Sequence, residues 1–573
     1  MRTIKRWKLC LLIGAILTIL AIRYGKICEP YREQEIAFSV RDSFCEQDQE
    51  LELSTLLESE IYYTDDGSLP SRESKRYEKP IHLTASEDVN AVTIRAIAYY
   101  GGEDYSDICT KTYFLGKKVL EKFSSIIVAI SGNPDDFFGF DRGILVPGRL
   151  RETYIEEHPD EPFSDRMPAN YYLRGDEAER PVHVELFNPD GTCVVSQDMG
   201  IRVHGGFTRS SDMKSLRLIA RNEYGDNRVR YNLFPEEGEE DTDVYKKSEY
   251  KKILLRNHGN DEEVAYLRNE LVQQLAEDSG LLDTQEFRAA SVYINGEYYG
   301  FEWMEEVYDR TYFETHYGTN DKDGTWQVVM PNLGNAEPDS EDEAGLQAAQ
   351  DFDAMYAYRY KDLTNDETFA ELQKLLDVEN FLQYCAIEVY VANPDWPGNN
   401  CKAYRWYSNK DKYREPYTDG RWRFLLYDLD MGMARVENSL AEDSSIGKIL
   451  GIVSDPWDRQ EPLLQALLKR EDMQKQFVEI LETMMEGPFS STYACEVIDD
   501  IQEEMKVELE MNIQRLAEKY AKQQPDIYAD AEEAFCHQLA LHEQEINTVK
   551  EFFRQRPQYI QKELRELLND FYE

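Results

Sequence analysis

Asp395 and Asn400, with four residues between them, lie in the string ANPDWPGNN, residues 392–400. A carboxylate and a carboxamide held this close can divide a task. The carboxylate can orient a hydroxyl or take its proton, and the amide oxygen can serve a hard cation. Further on, the apolar run RFLLY leads to Asp428 and Asp430, carboxylates at a strand end that could grip the same ion. An oxygen ligand set of Asn400, Asp428 and Asp430, without His or Cys, points to Mg or Mn rather than zinc. Asn, Pro and Gly also build turns, so the string alone reads first as a turn.

The formal net charge of -47 repels nucleic acid, which is therefore not expected as a partner. It also repels ATP, so a nucleotide would need a divalent cation and a local basic patch. Residues 201–221 supply the patch, with Arg202, Arg209, Lys214, Arg217 and Arg221 against Asp212 alone. In the strand KSLRLIA, Lys214 shares a face with Leu216, Leu218 and Ala220, aimed at a covered interior or a cleft. A snorkelling Lys at a sheet edge fits the pattern equally. Arg217 lies on the other face with Ser215 and Ile219. Gly205-Gly206 permits close backbone approach to a phosphate, and serves as readily in a hairpin turn. In the amphipathic segment 263–282, Glu270 borders the stripe Leu267, Leu271 and Leu275, within reach of a buried Lys.

A glycine turn, a strand Lys, a helix Glu, Asp-x4-Asn and Asp-x-Asp follow in the order that a kinase-like nucleotide site needs. From about Ser124 onward the chain resembles the CotH family, the spore coat protein H type of atypical protein kinase. The strings are DRGILVPGR, MGIRVHGGFTRSSDMKSLRL, YLRNELVQQLAEDSGL, VYINGEYYGFEWMEE, ANPDWPGNN and WRFLLYDLDMG. The resemblance implies a distant protein-kinase-like fold that transfers phosphate from ATP to protein Ser or Thr, with Mg or Mn. It implies Lys214 on the nucleotide phosphates, Asp395 as catalytic Asp, and Asn400 and Asp428 as metal ligands. It also places Glu306 near a nucleotide hinge and makes Arg202 and Arg209 anion contacts. His204 and Phe207 depart from the family's turn, which often has Arg and Ser or Asn there.

The elements expected around these residues give an α+β chain. At residues 1–26, basic Arg2, Lys5, Arg6 and Lys8 precede the apolar run 9–22. This predicts an uncleaved single-pass membrane anchor with the body outside the cytoplasm. Residues 27–118 read as a small all-β sandwich. IYYTDDGSLP and VTIRAIAYYGGEDYS resemble the chitobiase/hexosaminidase C-terminal-like module, usually a spacer or binding accessory. Residues 119–573 would form the kinase-like domain with a helical C-terminal part from about Glu461, and residues 335–350 an acidic loop. Nine Cys at wide spacing, without C-x-x-C, argue against a disulfide scaffold or a zinc ribbon. Two readings follow: an anchored CotH-type kinase acting on an unknown protein acceptor, or a non-catalytic cell-surface binding or structural protein. A glycan-processing enzyme would rest on the sandwich alone.

Overall fold

The computed structural model describes residues 36–570 except 102–103, 236–248, 281–282, 321, 333–334, 341, 410–416 and 456–458. The expected anchor at 9–22 lies outside the described residues. Among those described, no helix is long and apolar enough to cross a membrane. The fold is mixed α+β, β-rich toward the N-terminus and helical toward the C-terminus.

The N-terminal module is built on strands β1 (Phe44–Cys45), β2 (Glu60–Thr64), β3 (Lys75–Arg76), β4 (Asn90–Gly101), β5 (Asp104–Tyr105) and β6 (Cys109–Leu115). They pair in the order β1-β6-β4-β2-β3, with β5 on β4. Ile61, Ile94, Ala96, Ala98, Tyr113 and Leu115 make its core, the inward half of each alternating strand. The other face meets the next domain. Phe44, Phe114, Phe123, Phe187 and Tyr293 form one buried cluster across the junction, and the Thr112 N–H donates to Glu185 Oε2 at 2.8 Å.

Seven strands then close a barrel: β7 (Ile126–Ser131), β8 (Arg180–Phe187), β9 (Cys193–Val203), β10 (Leu216–Ile219), β11 (Lys252–Arg256), β12 (Phe287–Ile294) and β13 (Glu297–Glu305). The order is β7-β8-β9-β10-β11-β13-β12, and β12 returns parallel to β7. Ile126, Val128, Val184, Leu216, Leu218, Leu255, Val292 and Met304 fill the interior. With a period of two, their neighbours must face outward. Register aligns Arg202 with Arg217, Arg217 with Leu254, and Leu254 with Glu305. These outward residues form one row toward the rest of the molecule. The Asn295-Gly296 turn between β12 and β13 has φ of 52° and 86°, the two left-handed residues that a tight hairpin requires.

Between β7 and β8 lie helices α1 (Pro134–Phe138) and α2 (Gly148–Glu157) and a strap running to Gly175. Beyond β11, helix α3 spans Arg268–Asp278. It starts later than the periodicity suggests, because Glu263 and Tyr266 adopt positive φ. The Leu267 and Arg268 N–H groups donate instead to Asp261 Oδ2. The C-terminal part holds a four-stranded sheet, β15-β14-β16-β17, from β14 (Gly324–Met330), β15 (Glu337–Pro338), β16 (Lys402–Ser408) and β17 (Arg423–Leu425). The acidic stretch expected as a loop at 335–350 is in part helical: α4 spans Glu343–Tyr356, and Asp342 caps it by accepting from the Gly345 N–H. Helix α5 (Val378–Tyr390) ends at the Asp395 loop. The helices α6 (Ser491–Gln523) and α7 (Ala531–Asp570) pack as an antiparallel pair. Glu508 of α6 accepts from the Ser124 and Ser125 N–H groups and so ties the pair to the barrel.

Candidate active site

A cleft of about 920 Å³ opens between the outer face of the barrel and the C-terminal part. Arg202, Arg217 and Arg256 enter from β9, β10 and β11, Asp395 and Asn400 from the loop after α5, and Asp428 from the turn after β17.

The loop is fastened from below. Arg556 of α7 is fully buried and donates to the carbonyls of Val389 and Tyr390, at the C-terminus of α5. Asn393 donates to the buried Glu388 at 2.9 Å. Asn400 and Asp428 both sit at positive φ, 57° and 59°, backbone strain of the kind that concentrates where a side chain must be aimed. Asn400 donates Nδ2 to Asp395 Oδ2 at 3.2 Å and to the Asp428 carbonyl at 3.4 Å. Its Oδ1 accepts no hydrogen bond among the described residues. Burial and the nearby Asp430 raise the pKa of Asp395. The same two causes push Asp428 up to about 7, against the pull of Arg256. Three of the four sequence-chosen loop and strand-end residues therefore meet in the cleft.

Asp430 does not. It is fully buried, its Oδ2 accepts from Arg256 Nη2 and the Asn260 N–H, and its Oδ1 accepts from Asn260 Nδ2. With both oxygens engaged it is an anchor for Arg256 rather than a ligand. Gly259 is needed beside it, since its φ is positive and a Cβ there would collide with the Asp430 carboxylate.

Lys214 is also displaced from its expected role. On the inward face of β10's leading end, its ammonium donates to the Ser211 carbonyl at 2.6 Å and lies 4.7 Å from the centre of the Tyr171 ring. It does not line the cleft, and burial lowers its pKa to about 8. Glu306 faces away as well, bonded to His316 Nε2 at 2.9 Å in a separate small depression. The alternation along β13 gives the cleft to Glu305 instead. Arg202 and Arg209 do line the cleft, but their donors are committed. Arg202 pairs with Glu179 and Asp176. Arg209 donates to the carbonyls of Gly205, Tyr171 and Leu173, stapling the glycine turn to the strap.

The cations that the expected set missed are Arg217, Lys402 and Arg256. Arg217 forms no ion pair among the described residues. One Nη donates to His204 Nδ1 at 2.7 Å, and its buried Nε has no partner. Lys402, 7% exposed, stacks 3.7 Å from the Tyr427 ring centre and likewise pairs with no carboxylate among the described residues. Burial lowers its pKa to about 8. Burial and the charges of Arg217 and Lys402 hold His204 neutral. Arg256 joins the two sides, with Nη2 at 2.7 Å from Asp428 Oδ1 and from Asp430 Oδ2, and Nη1 at 3.5 Å from Glu270. Glu270 thus meets a buried cation, though an Arg rather than a Lys. Burial opposes the charge on Arg256, but Asp430, Asp428, Glu305 and Glu270 outweigh it and hold the guanidinium protonated. The signal for Arg217 and Arg256 was in the strands: each occupies the outward phase of an alternating run.

Among the described residues, no three His, Cys, Asp or Glu converge on a protein-only metal site. The donor set does fit a hard cation shared with a ligand's oxygens. Asp428 Oδ2 and Asn400 Oδ1 are left over from the internal bonds, and Mg²⁺ usually takes one or two protein carboxylates plus phosphate and water.

The fold and cleft thus define a mixed α+β protein with a polar, two-signed site between a closed barrel and a helical part. Residues 201–560 match the family model described as CotH kinase protein. That is more than half of the chain, and the protein belongs to the CotH kinase family. Residues 51–113 match a model described as Fn3 associated, the description found for the N-terminal module. No curated protein matches the chain.

Proposed function

We propose that the protein is an ATP-dependent protein kinase that phosphorylates a Ser or Thr hydroxyl of another polypeptide. One observation carries the proposal. Asp395, Asn400 and Asp428 converge in a cleft that is also lined by Arg217 from the barrel and Lys402 from the C-terminal sheet, two cations without a carboxylate partner among the described residues. A buried or half-buried cation without a counter-ion is costly, and a phosphate oxygen satisfies it.

In this reading Arg217 and Lys402 hold the nucleotide phosphates, in the role expected of Lys214. Asn400 and Asp428 would hold Mg²⁺ or Mn²⁺, which when bound neutralises phosphate charge. Arg256 keeps Asp428 aimed by tying it to Asp430 and Glu270. Asp395 orients the acceptor hydroxyl and receives its proton as the oxygen attacks the γ-phosphorus. The bond from that phosphorus to the bridging oxygen breaks, and ADP departs. Arg209 keeps the glycine turn pressed to the strap, so its backbone is pre-positioned over the phosphates.

The localisation belongs to the same proposal: the basic flank and apolar run at the N-terminus anchor the body outside the cytoplasm. Incubating the purified chain with labelled ATP and Mg²⁺ or Mn²⁺ tests the activity. Label on the protein or on added polypeptides supports it. Nucleotide binding without transfer to any protein would replace it with the non-catalytic binding role.

A further inference from the structure

Large apolar side chains are exposed together on the segment between β7 and β8 and on the glycine turn that lines the cleft. Phe138, Phe140 and Ile155 are 54%, 47% and 43% exposed, and Phe163 and Phe207 follow on the strap and the glycine turn. Phe138, Phe140, Val146, Pro147 and Ile155 line a groove of about 630 Å³ between α1 and α2. Aromatic clusters beside stacked arginines are the composition of protein-binding surfaces, and Arg149 over Phe140 and Arg166 over Phe207 supply them here.

The groove and the cleft share a wall. Arg151, which lines the groove, donates to the Tyr171 hydroxyl at 2.8 Å and to the carbonyls of Asp165, Met167 and Pro168. Arg209, which lines the cleft, donates to the Tyr171 carbonyl at 2.8 Å. One strap, stapled from both sides at the same residue, therefore separates the two. All of these groove and strap residues precede residue 201, so they lie outside the span that the kinase family model matches.

The unpaired charge exposed along the groove is acidic, since Arg151 is buried with its donors turned to the strap and Arg149 is paired with Asp141. Glu152 and Glu156, one turn apart on α2, line it on either side of Ile155, and neither forms an ion pair among the described residues. A concave apolar slot rimmed by two free carboxylates does not suit an anionic lipid surface. It suits an apolar side chain with a basic neighbour.

We propose that the α1–α2 groove docks the protein acceptor, taking a Phe- or Leu-sized anchor flanked by Lys or Arg on a segment outside the phosphorylated Ser or Thr. This rests on the phosphotransfer reading for the word acceptor; the binding itself does not.

The test uses the full chain and fluorescent peptides that carry a central Phe between lysines, joined by a flexible linker to a Ser-containing stretch. Control peptides replace Phe by Ser, or Lys by Glu. The Phe–Lys peptide should bind at least about ten-fold tighter than either control, as burial of one large apolar side chain requires. Ile155→Asp should remove that preference and leave ATP affinity unchanged. Glu152→Lys with Glu156→Lys should turn it toward the Glu-flanked peptide. Phosphorylation of the Phe–Lys peptide should show a KM raised about ten-fold by Ile155→Asp, with kcat unchanged. Equal binding of all three peptides would overturn the proposal. So would Ile155→Asp leaving binding intact, or phosphatidylglycerol vesicles binding through the groove in place of the peptides. Groove-dependent binding without phosphate transfer would sink the kinase reading alone. Transfer that is indifferent to the anchor would sink the docking proposal alone.

Discussion

Arg256 Nη2 stands 2.7 Å from Asp428 and 2.7 Å from Asp430, so one guanidinium on the barrel holds two carboxylates of the opposite wall. Removing it leaves Asp430 buried and charged without a counter-ion. Arg256→Met should destabilise the protein by about 3–5 kcal/mol, measured by denaturant unfolding. Adding Asp430→Asn should return a large part of that loss, because the pair is coupled. Additive losses in the double variant would show that the bridge does not join the two walls.

The module is not a loose appendage. Phe114 is fully buried among Phe44, Phe123, Phe187 and Tyr293, at the junction with the barrel. Phe114→Ala should cost about 3–5 kcal/mol, and residues 119–573 expressed alone should be less stable than the longer chain. Unfolding of the module as a separate, earlier transition that leaves the barrel unchanged would contradict this.

Glu388, buried under the Asp395 loop, has its pKa raised to about 8 by burial. The folded state therefore holds a proton that the unfolded chain has released above about 4.5. Its contribution to stability is full below that pH and is lost as pH rises to about 8. Glu388→Gln mimics the protonated form and still accepts from Asn393. The variant should gain stability over the parent between pH 6.5 and 8 and show little difference near pH 5. A difference that does not change with pH would rule out this account of Glu388.

The full chain should fractionate with membranes, and a version lacking residues 1–26 should not. The basic flank followed by the run 9–22 motivates this. Full-length protein recovered as soluble cytoplasmic material would remove the anchor.

How much of this was legible in the sequence depended on whether a residue's role was local. Strand phase, the Asn295-Gly296 hairpin and the long C-terminal helices follow from period and turn chemistry, and the structure shows them. The Asp395, Asn400 and Asp428 convergence was legible because loop spacing and strand end fix it. The face of Lys214 was legible, inward with Leu216 and Leu218, but that face is covered and so does not open to the cleft, while Glu306 lies one residue past the end of β13, where one residue reverses the face. Arg217 and Glu305, one step over in phase, are the residues that reach the cleft. Asp430 could not be excluded by spacing, since its engagement by Arg256 and Asn260 is a contact 170 or more residues away in sequence. The acidic segment around 343 hid a helix because its charge suggested a loop while Asp342 supplied a cap.

The central claim is that Asp428 serves the metal–nucleotide and Asp395 serves the acceptor. The measurement that tests it most directly is calorimetric titration of Mg²⁺ with a non-hydrolysable ATP analogue, beside phosphate transfer from labelled ATP, on the parent, Asp395→Asn and Asp428→Asn. The account predicts that Asp395→Asn binds the analogue within about two-fold of the parent and loses transfer by about 10²-fold or more. It predicts that Asp428→Asn loses both binding and transfer. Normal transfer by Asp395→Asn, or parent-like metal–nucleotide binding by Asp428→Asn, would contradict it.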